Sequence, residues 1–455
     1  MDNNVPLSSR LLYASGSFGS HLLFQVIALW IFYFYAAEGA EDRDPLAPVL
    51  LVGAAMTVGR IIDAITDPII GYWSDITRSR WGRRFPFIIL GAPYMAAMFM
   101  LLWFPPVDGT HWANALWLGV VIQLYFVGVT IVGAPYTGIF PELAITKEDR
   151  VSIAAWQILF GLAGAGVALI ATGPIVEFIG FPGMALFAAI AGTLPRYIGL
   201  LGARGRLVYE PPPPVRGEFW SSLLGALRIM VTNRSFLVLV GSFVCFSAGQ
   251  LMLVQAVPFF VTEIVGRSEA WQAPVTAAFF VSALAMVPLI VQLTRRRDKR
   301  QVYSWCLLLS ALALPALFFA GFIPGIPPLV QIIIIIAVVG LPLSGVFLLP
   351  DALLADVVDD DSLKTDARRE AMYYSGRATL EKFGQTVATG LFAILFAVFG
   401  QTAAEPLGIR LIGPVAGLLV FAGWLAFWYG YRIREAELET PPHIARGRLN
   451  DEGRG

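Results

Sequence analysis

The chain has 455 residues, of which 57% are hydrophobic, 13% aromatic and only 14% charged, and its mean hydropathy is +0.70. A water-facing surface draws on about 25% charged residues, so this supply excludes an ordinary soluble domain; the apolar richness equally excludes a disordered chain. Lys plus Arg and Asp plus Glu each number 32, so the net charge is zero and no basic footprint for nucleic acid exists.

About 20 apolar residues cross a ~30 Å hydrocarbon core. In chain order, runs of that kind fall near 11–36, 48–73, 85–105, 112–137, 151–175 and 180–201, then near 234–262, 272–293, 302–323, 327–349, 371–399 and 409–432. The twelve predicted spans divide six and six about a polar stretch from Arg204 to Gly217 that contains the run Pro211 to Pro214. The fold class expected is an all-α membrane protein of two pseudo-symmetric six-helix bundles, 1–203 and 234–433, joined by a cytoplasmic linker, 204–233, and followed by a tail, 434–455. The first span is too long, and too little preceded by positive charge, for a cleaved secretory signal.

Of the 32 lysines and arginines, only Arg43, Arg267 and Arg410 fall on the side opposite the N-terminus, and Arg60 and Lys382 fall within spans. Basic residues stay in the cytoplasm, so both termini are expected there, in a cell membrane (the inner membrane of a bacterium). Cys245 and Cys306 lie in apolar runs and build neither a disulfide framework nor a zinc site. With three scattered histidines and no Gly-x-Ser-x-Gly, His-Glu-x-x-His or P-loop motif, neither an enzyme nor a cofactor is expected. A monomer is expected.

The halves echo one another. Gly133-Ala-Pro135-Tyr-Thr137-Gly138-Ile-Phe140-Pro141-Glu142 closes the fourth span, and Gly340-Leu-Pro342-Leu-Ser344-Gly345-Val-Phe347, followed by Pro350-Asp351, closes the tenth. The basic loop Arg78 to Arg84 is matched by Arg295 to Arg300 at the same offset of six spans. Duplicated six-span repeats place a substrate site at mid-membrane between the halves, with rocking as the transport motion.

Ionisable groups inside a span are costly and mark function. In the second span, Arg60-Ile-Ile-Asp63-Ala-Ile-Thr66-Asp67-Pro68 sets Asp63 and Asp67 at i, i+4, on one helix face. Two carboxylates so close repel unless a cation or a shared proton sits between them, and Thr66 adds an oxygen of the kind hard cations take. The plainer alternative is that Arg60 neutralises Asp63 and ties two helices together, which leaves Asp67 uncompensated. Lys382, in Leu380-Glu381-Lys382-Phe383-Gly384, can meet the carboxylates and couple the halves, or it can pair with Glu381 and snorkel to the interface. His21, alone among apolar residues, reads first as a packing residue.

The stretch Asp63 to Arg84, with Asp67-Pro68, Gly71-x-x-x-Asp75 and Trp81-Gly82-Arg83-Arg84, resembles the signature of the glycoside–pentoside–hexuronide:cation symporters of the major facilitator superfamily. Asp356 to Asp361, Lys364-Thr365, Arg368 to Tyr373 and Glu381 to Gly384 resemble the same branch. The resemblance implies cation-binding aspartates at Asp63 and Asp67, the polar residue between them at Thr66, a hydroxyl ligand at Thr130 and a coupling lysine at Lys382. It implies a central cavity near His21, Gly133 and Thr137; Trp156 and Tyr373 offer aromatic faces to a sugar ring or a lipid tail there, or serve as packing or interfacial residues. The family's sugar-binding carboxylates fall on His21 and Gly133, and its tryptophan on Thr137, so the ion site matches the family better than the sugar site does. It also implies an inner-loop latch at Asp75, Arg83 and Arg84, pairing charges between bundles. The expected function is Na⁺- or H⁺-coupled symport of a sugar or glycoside, with a metal ion expected only as Na⁺ at Asp63 and Asp67. A related branch that moves lysophospholipids keeps the aspartates and the lysine, so an amphipath cargo stays open, as does a receptor or channel without coupled transport.

Overall fold

The computed structural model describes residues 5–37, 44–77, 79–144, 146–204, 232–365 and 370–433. The predicted linker, apart from its ends, and the predicted tail lie outside the described residues. The described chain is helical with no strand among its residues. Its first half comprises α1 (Leu7–Ala14), α2 (Gly16–Ala36), α3 (Val49–Ile76), α4 (Phe85–Leu101), α5 (Trp112–Leu143) and α6 (Lys147–Ala203). The second half comprises α7 (Arg234–Phe259), α8 (Gln272–Arg296), α9 (Lys299–Ala313), α10 (Pro328–Thr365), α11 (Glu370–Phe399) and α12 (Leu407–Gly430). Among the described residues, ten helices are long and apolar enough to cross a membrane, counting α1 with α2 as one run.

Two departures from that count have local causes. The 57 residues of α6 rise about 85 Å at 1.5 Å each, far beyond one crossing. Gly180 breaks the run with φ 71° and ψ 176°, a conformation essentially reserved for glycine, and the predicted spans 151–175 and 180–201 lie on its two sides. The predicted span 85–105 appears as the 17-residue α4, about 26 Å long.

One boundary is corrected. The tenth span was expected to end at 349, yet α10 continues to Thr365 through five aspartates. Leu353, Leu354, Val357, Val358 and Asp361 are buried along this extension, spaced so that they share one face of an amphipathic helix. Ion pairs fix the polar side: Lys299 Nζ meets Asp356 Oδ1 at 2.9 Å, Lys364 Nζ meets Asp360 Oδ2 at 2.6 Å, and Arg377 pairs with Asp351.

The described residues form two compact units. The first holds those up to 204 together with Met252–Ala277 and Thr389–Ile409. Its core is α2, whose residues from Trp30 to Ala36 are all nearly or fully buried. Apolar surface gains little by leaving lipid for protein, so helices in a membrane hold together through close packing and hydrogen bonds. The contact between α2 and α6 fits that rule. A Cβ on Gly19 would lie 2.0 Å from the Gly192 carbonyl oxygen, and one on Gly164 2.1 Å from that of Phe18. Trp30 Nε1 donates to Thr172 Oγ1 at 2.8 Å, and the Tyr35 hydroxyl donates to the Leu102 carbonyl at 2.7 Å.

Segments from the second half of the sequence complete this unit at the end of the helices away from the arginine-rich loops. The Tyr33 hydroxyl donates to Glu269 Oε1 at 2.9 Å. Glu177 Oε2 accepts from Ser268 Oγ at 2.7 Å and from the Ala270 amide at 3.2 Å. Gln401 Nε2 donates to the Ala36 carbonyl at 2.6 Å, and Thr276 Oγ1 to that of Leu169 at 2.8 Å. Tyr33 meets Phe259 edge-on, and Phe32 meets Phe392 at 4.8 Å between centroids.

The second unit holds the described residues from 232 to Leu251, Ala278–Ala388, and from Arg410 to 433. Tyr303 packs edge-on against Phe427 at 4.8 Å, and Phe427 stacks on Tyr431 at the same separation. Arg410 lies over the Phe322 ring and donates to the carbonyls of Phe318 and Ala320 at 2.8 and 2.7 Å.

Candidate cation site

Asp63 and Asp67 lie one turn apart on α3 and face Thr130 of α5. Thr130 Oγ1 is 3.0 Å from Asp63 Oδ1 and 3.1 Å from Asp67 Oδ1. Thr66 Oγ1 stands 3.2 Å from Thr130 Oγ1 and within reach of the Ile62 and Asp63 carbonyls, at 2.9 and 3.2 Å. Thr130 is 1% exposed and Asp63 3%, whereas Asp67 is half-buried. A hydroxyl carries one proton, so Thr130 donates to only one carboxylate at a time. Two carboxylates and two hydroxyls therefore converge from two helices. A hard cation or a shared proton is the chemistry such a set of oxygens takes.

Arg60 is buried on the same helix, three residues before Asp63, whose charge acts on it. Its guanidinium carbon lies 4.7 Å from the Phe24 ring centroid and 4.8 Å from that of Phe126, and its Nε meets no hydrogen-bond acceptor among the described residues. The two rings give the cation a π-lined slot. Arg196 is a second buried guanidinium, 3% exposed, with Tyr125 and Tyr136 as electrostatic neighbours. The sequence reading counted Arg196 among the loop arginines, because its position near the end of a predicted span gave no sign of burial.

Of the cavity residues, His21, Gly133, Thr137 and Trp156 belong to the first unit. His21 is exposed, and its Nδ1 donates to the Ser17 carbonyl at 2.9 Å. Gly133 has no described atom within 4 Å of where a Cβ would stand. Thr137 is exposed and its hydroxyl bonds back to the Gly133 carbonyl at 3.2 Å; Trp156 is half-buried. Tyr373, in the second unit, is fully buried against Phe236, and its hydroxyl accepts from Asn233 Nδ2 at 3.1 Å. In this conformation it packs and offers no cavity wall. Lys382, also in the second unit, is half-buried on α11, where its carbonyl accepts from Thr386 Oγ1 at 2.9 Å.

Arg83 and Arg84 converge on Glu142 at the end of α5, Arg84 Nη1 standing 2.8 Å from its Oε1, and Arg84 also donates to the Gly138 carbonyl. Both arginines thus pair within their own half. Asp75 lies near the end of α3, and its side chain falls outside the described residues. Sequence reading missed the partner, Glu142, although its place at the end of the repeated proline motif was a usable signal. It also missed a tyrosine clasp: Tyr13 and Tyr136 stack at 5.0 Å, each hydroxyl donating to the other's carbonyl, at 2.8 and 2.5 Å.

Helices of membrane length in this number define a multi-pass membrane protein, and solved structures share its fold. A crystal structure of a peptide transporter superposes with TM-score 0.64 at 14% identity, covering 92% of this chain and 94% of its own. A nucleoside transporter superposes with TM-score 0.63 at 14% identity, covering 92% and 100%.

Residues 12–434 match the family model described as MFS/sugar transport protein, and the chain belongs to that family. An uncharacterised symporter of Synechocystis sp. is 24% identical, covering 85% of this chain and 84% of the relative. A putative glycoside/cation symporter of Escherichia coli is 20% identical over 96% of this chain and 94% of its own length. The sodium-dependent lysophosphatidylcholine symporter 1 of Gallus gallus is 23% identical over 85% and 78%.

Proposed function

We propose that the protein is a secondary active symporter that couples Na⁺ or H⁺ to the movement of a small organic solute, with a sugar or glycoside as the first candidate. The observation that carries this reading is the approach of Thr130 Oγ1 to both Asp63 and Asp67. A cation entering between the two acids relieves their repulsion and engages the hydroxyls, so an occupied site differs in energy from an empty one. The ion biases the conformational equilibrium to the extent that one state holds these oxygens closer together than the other and so binds it more tightly. Arg60 keeps a fixed positive charge beside Asp63, and Lys382 is the group in the second half that would sense the ion's arrival.

In this reading the bundles 1–203 and 234–433 rock about the central site, and both termini lie in the cytoplasm. The hydrogen bonds of Tyr33, Glu177 and Gln401 then close the outer end. His21, Gly133, Thr137 and Trp156 line the path, and Asp75, Arg83 and Arg84 organise the inner loop. The open face at Gly133 supports a second cargo as well, because a carrier without carboxylates at His21 and Gly133 suits an amphipath; one relative is named for lysophosphatidylcholine. Uptake of labelled glycosides and of labelled lysolipid into vesicles, driven by a Na⁺ or a pH gradient, separates the two. Gradient-driven accumulation is expected in the wild type and should be lost in Asp63→Asn and Asp67→Asn. Undiminished accumulation in either well-folded variant overturns the ion-site assignment.

A further inference from the structure

The start of α9 and the end of α12 enclose a cavity of about 360 Å³, within the second unit and remote in sequence from the acids of α3. Asp298, Arg300, Gln301 and Ser304 line one side, and Phe427 and Trp428 the other. The polar side has a spare cationic donor. Arg300 Nη2 reaches the Trp428 carbonyl at a long 3.4 Å, which is the acceptor its side chain meets among the described residues. A guanidinium has five N–H groups, so most of its capacity is left for an occupant. Asp298 lines the same side and caps α9 by accepting from the Arg300 amide at 2.8 Å, so the cavity pairs one guanidinium with one carboxylate.

The aromatic side is held in place. Trp424 Nε1 donates to Ser304 Oγ at 3.0 Å, and the Trp424 ring stacks on that of Trp428 at 6.0 Å. Trp428 is 48% exposed, as are Trp305 at 42% and Tyr429 at 72%. Exposed Trp and Tyr near the ends of membrane helices mark the headgroup level. Arg295, Arg296 and Arg297, exposed immediately before α9, add positive charge at the same level. A cavity with a guanidinium beside a single carboxylate, an aromatic wall and exposed arginines nearby suits a ligand that is anionic at one end and apolar at the other.

We propose that this cavity binds the phosphodiester headgroup of a membrane phospholipid, with the phosphate on the Arg300 guanidinium and the glycerol against Trp428. Arginine meets phosphate through paired, charge-assisted hydrogen bonds, and basic pockets between membrane helices on the cytoplasmic side hold lipid headgroups. The proposal concerns binding alone and stands apart from the transport reading. Thermal unfolding of the purified full chain tests it, because a ligand of the folded state raises apparent stability. The probes are a short-chain phosphatidylglycerol, the diacylglycerol with the same chains, and inorganic phosphate.

Phosphatidylglycerol should raise the unfolding temperature of the wild type and of Arg296→Gln in a saturable way, whereas diacylglycerol and phosphate should leave it unchanged. Arg300→Gln removes the donor, and Gln301→Trp fills the mouth of the cavity. Each should weaken the apparent lipid affinity about tenfold or more, the scale of a lost charged hydrogen bond. A wild-type lipid response in both variants overturns the site, and an equal response to inorganic phosphate or to diacylglycerol overturns the headgroup assignment.

Discussion

Thr130 Oγ1 on α5 stands 3.0 Å from Oδ1 of Asp63 on α3, both groups being almost completely buried. The hydroxyl is within reach of Asp67 at 3.1 Å as well, so removing it strips an oxygen from between two acids. Thr130→Val keeps the shape and should weaken apparent cation affinity about tenfold or more, on the scale of a hydrogen bond to a charged group. Thr130→Ser should restore most of the loss. Cation titrations followed by intrinsic fluorescence read both values.

Tyr33 and Glu269 are joined across 236 residues of sequence. Tyr33→Phe removes a hydrogen bond to a carboxylate, worth about 1.5–3 kcal/mol, and should shift the protein toward states open at that end. A cysteine in place of the buried Ala36, with Cys245 and Cys306 replaced by alanine, reports the change. Its alkylation should be about tenfold or more faster in the Tyr33→Phe background.

Gly180 and Gly166 make a matched pair on α6. Gly180 has φ 71° and Gly166 is ordinary helix with open space around it. Gly180→Ala forces a side chain into a glycine-only conformation and should cost about 1–3 kcal/mol. Gly166→Ala should be neutral or stabilising by up to about 1 kcal/mol. Unfolding of the two variants in mixed detergent compares them directly.

Glu142 sits at the C-terminal end of α5, where the helix dipole disfavours an anion, and Arg83 and Arg84 offset that. Glu142→Gln should cost on the order of 1 kcal/mol. A double-mutant cycle with Arg84→Gln should show a coupling energy of about 0.5 kcal/mol or more, and strict additivity would mean the pair is energetically idle.

Much of the fold was legible because an apolar run of membrane length has few alternatives to a helix, and the predicted spans fall on helices, two of them on the single long α6. The helix beyond the tenth span was not legible at α10, where the buried stripe of Leu353, Leu354, Val357 and Val358 is interleaved with aspartates that hide it in a composition count. Met252–Ala277 and Thr389–Ile409 join the first unit through contacts such as Tyr33 to Glu269 and Phe32 to Phe392, which no local periodicity encodes. Within the site, Asp63 and Asp67 announced themselves as charges in an apolar run. Thr130 carries no charge and was reachable only through family resemblance, and Arg196 was mistaken for a loop residue because burial depends on neighbours distant in sequence.

Calorimetric titration of Na⁺ into the purified protein, with proton release followed in parallel, tests the coupling site most directly. The expected result is one saturable cation site, with Na⁺ and H⁺ competing for it, weakened at least about tenfold in both Asp63→Asn and Asp67→Asn. Cation binding and proton release unchanged from wild type in both folded variants would contradict it.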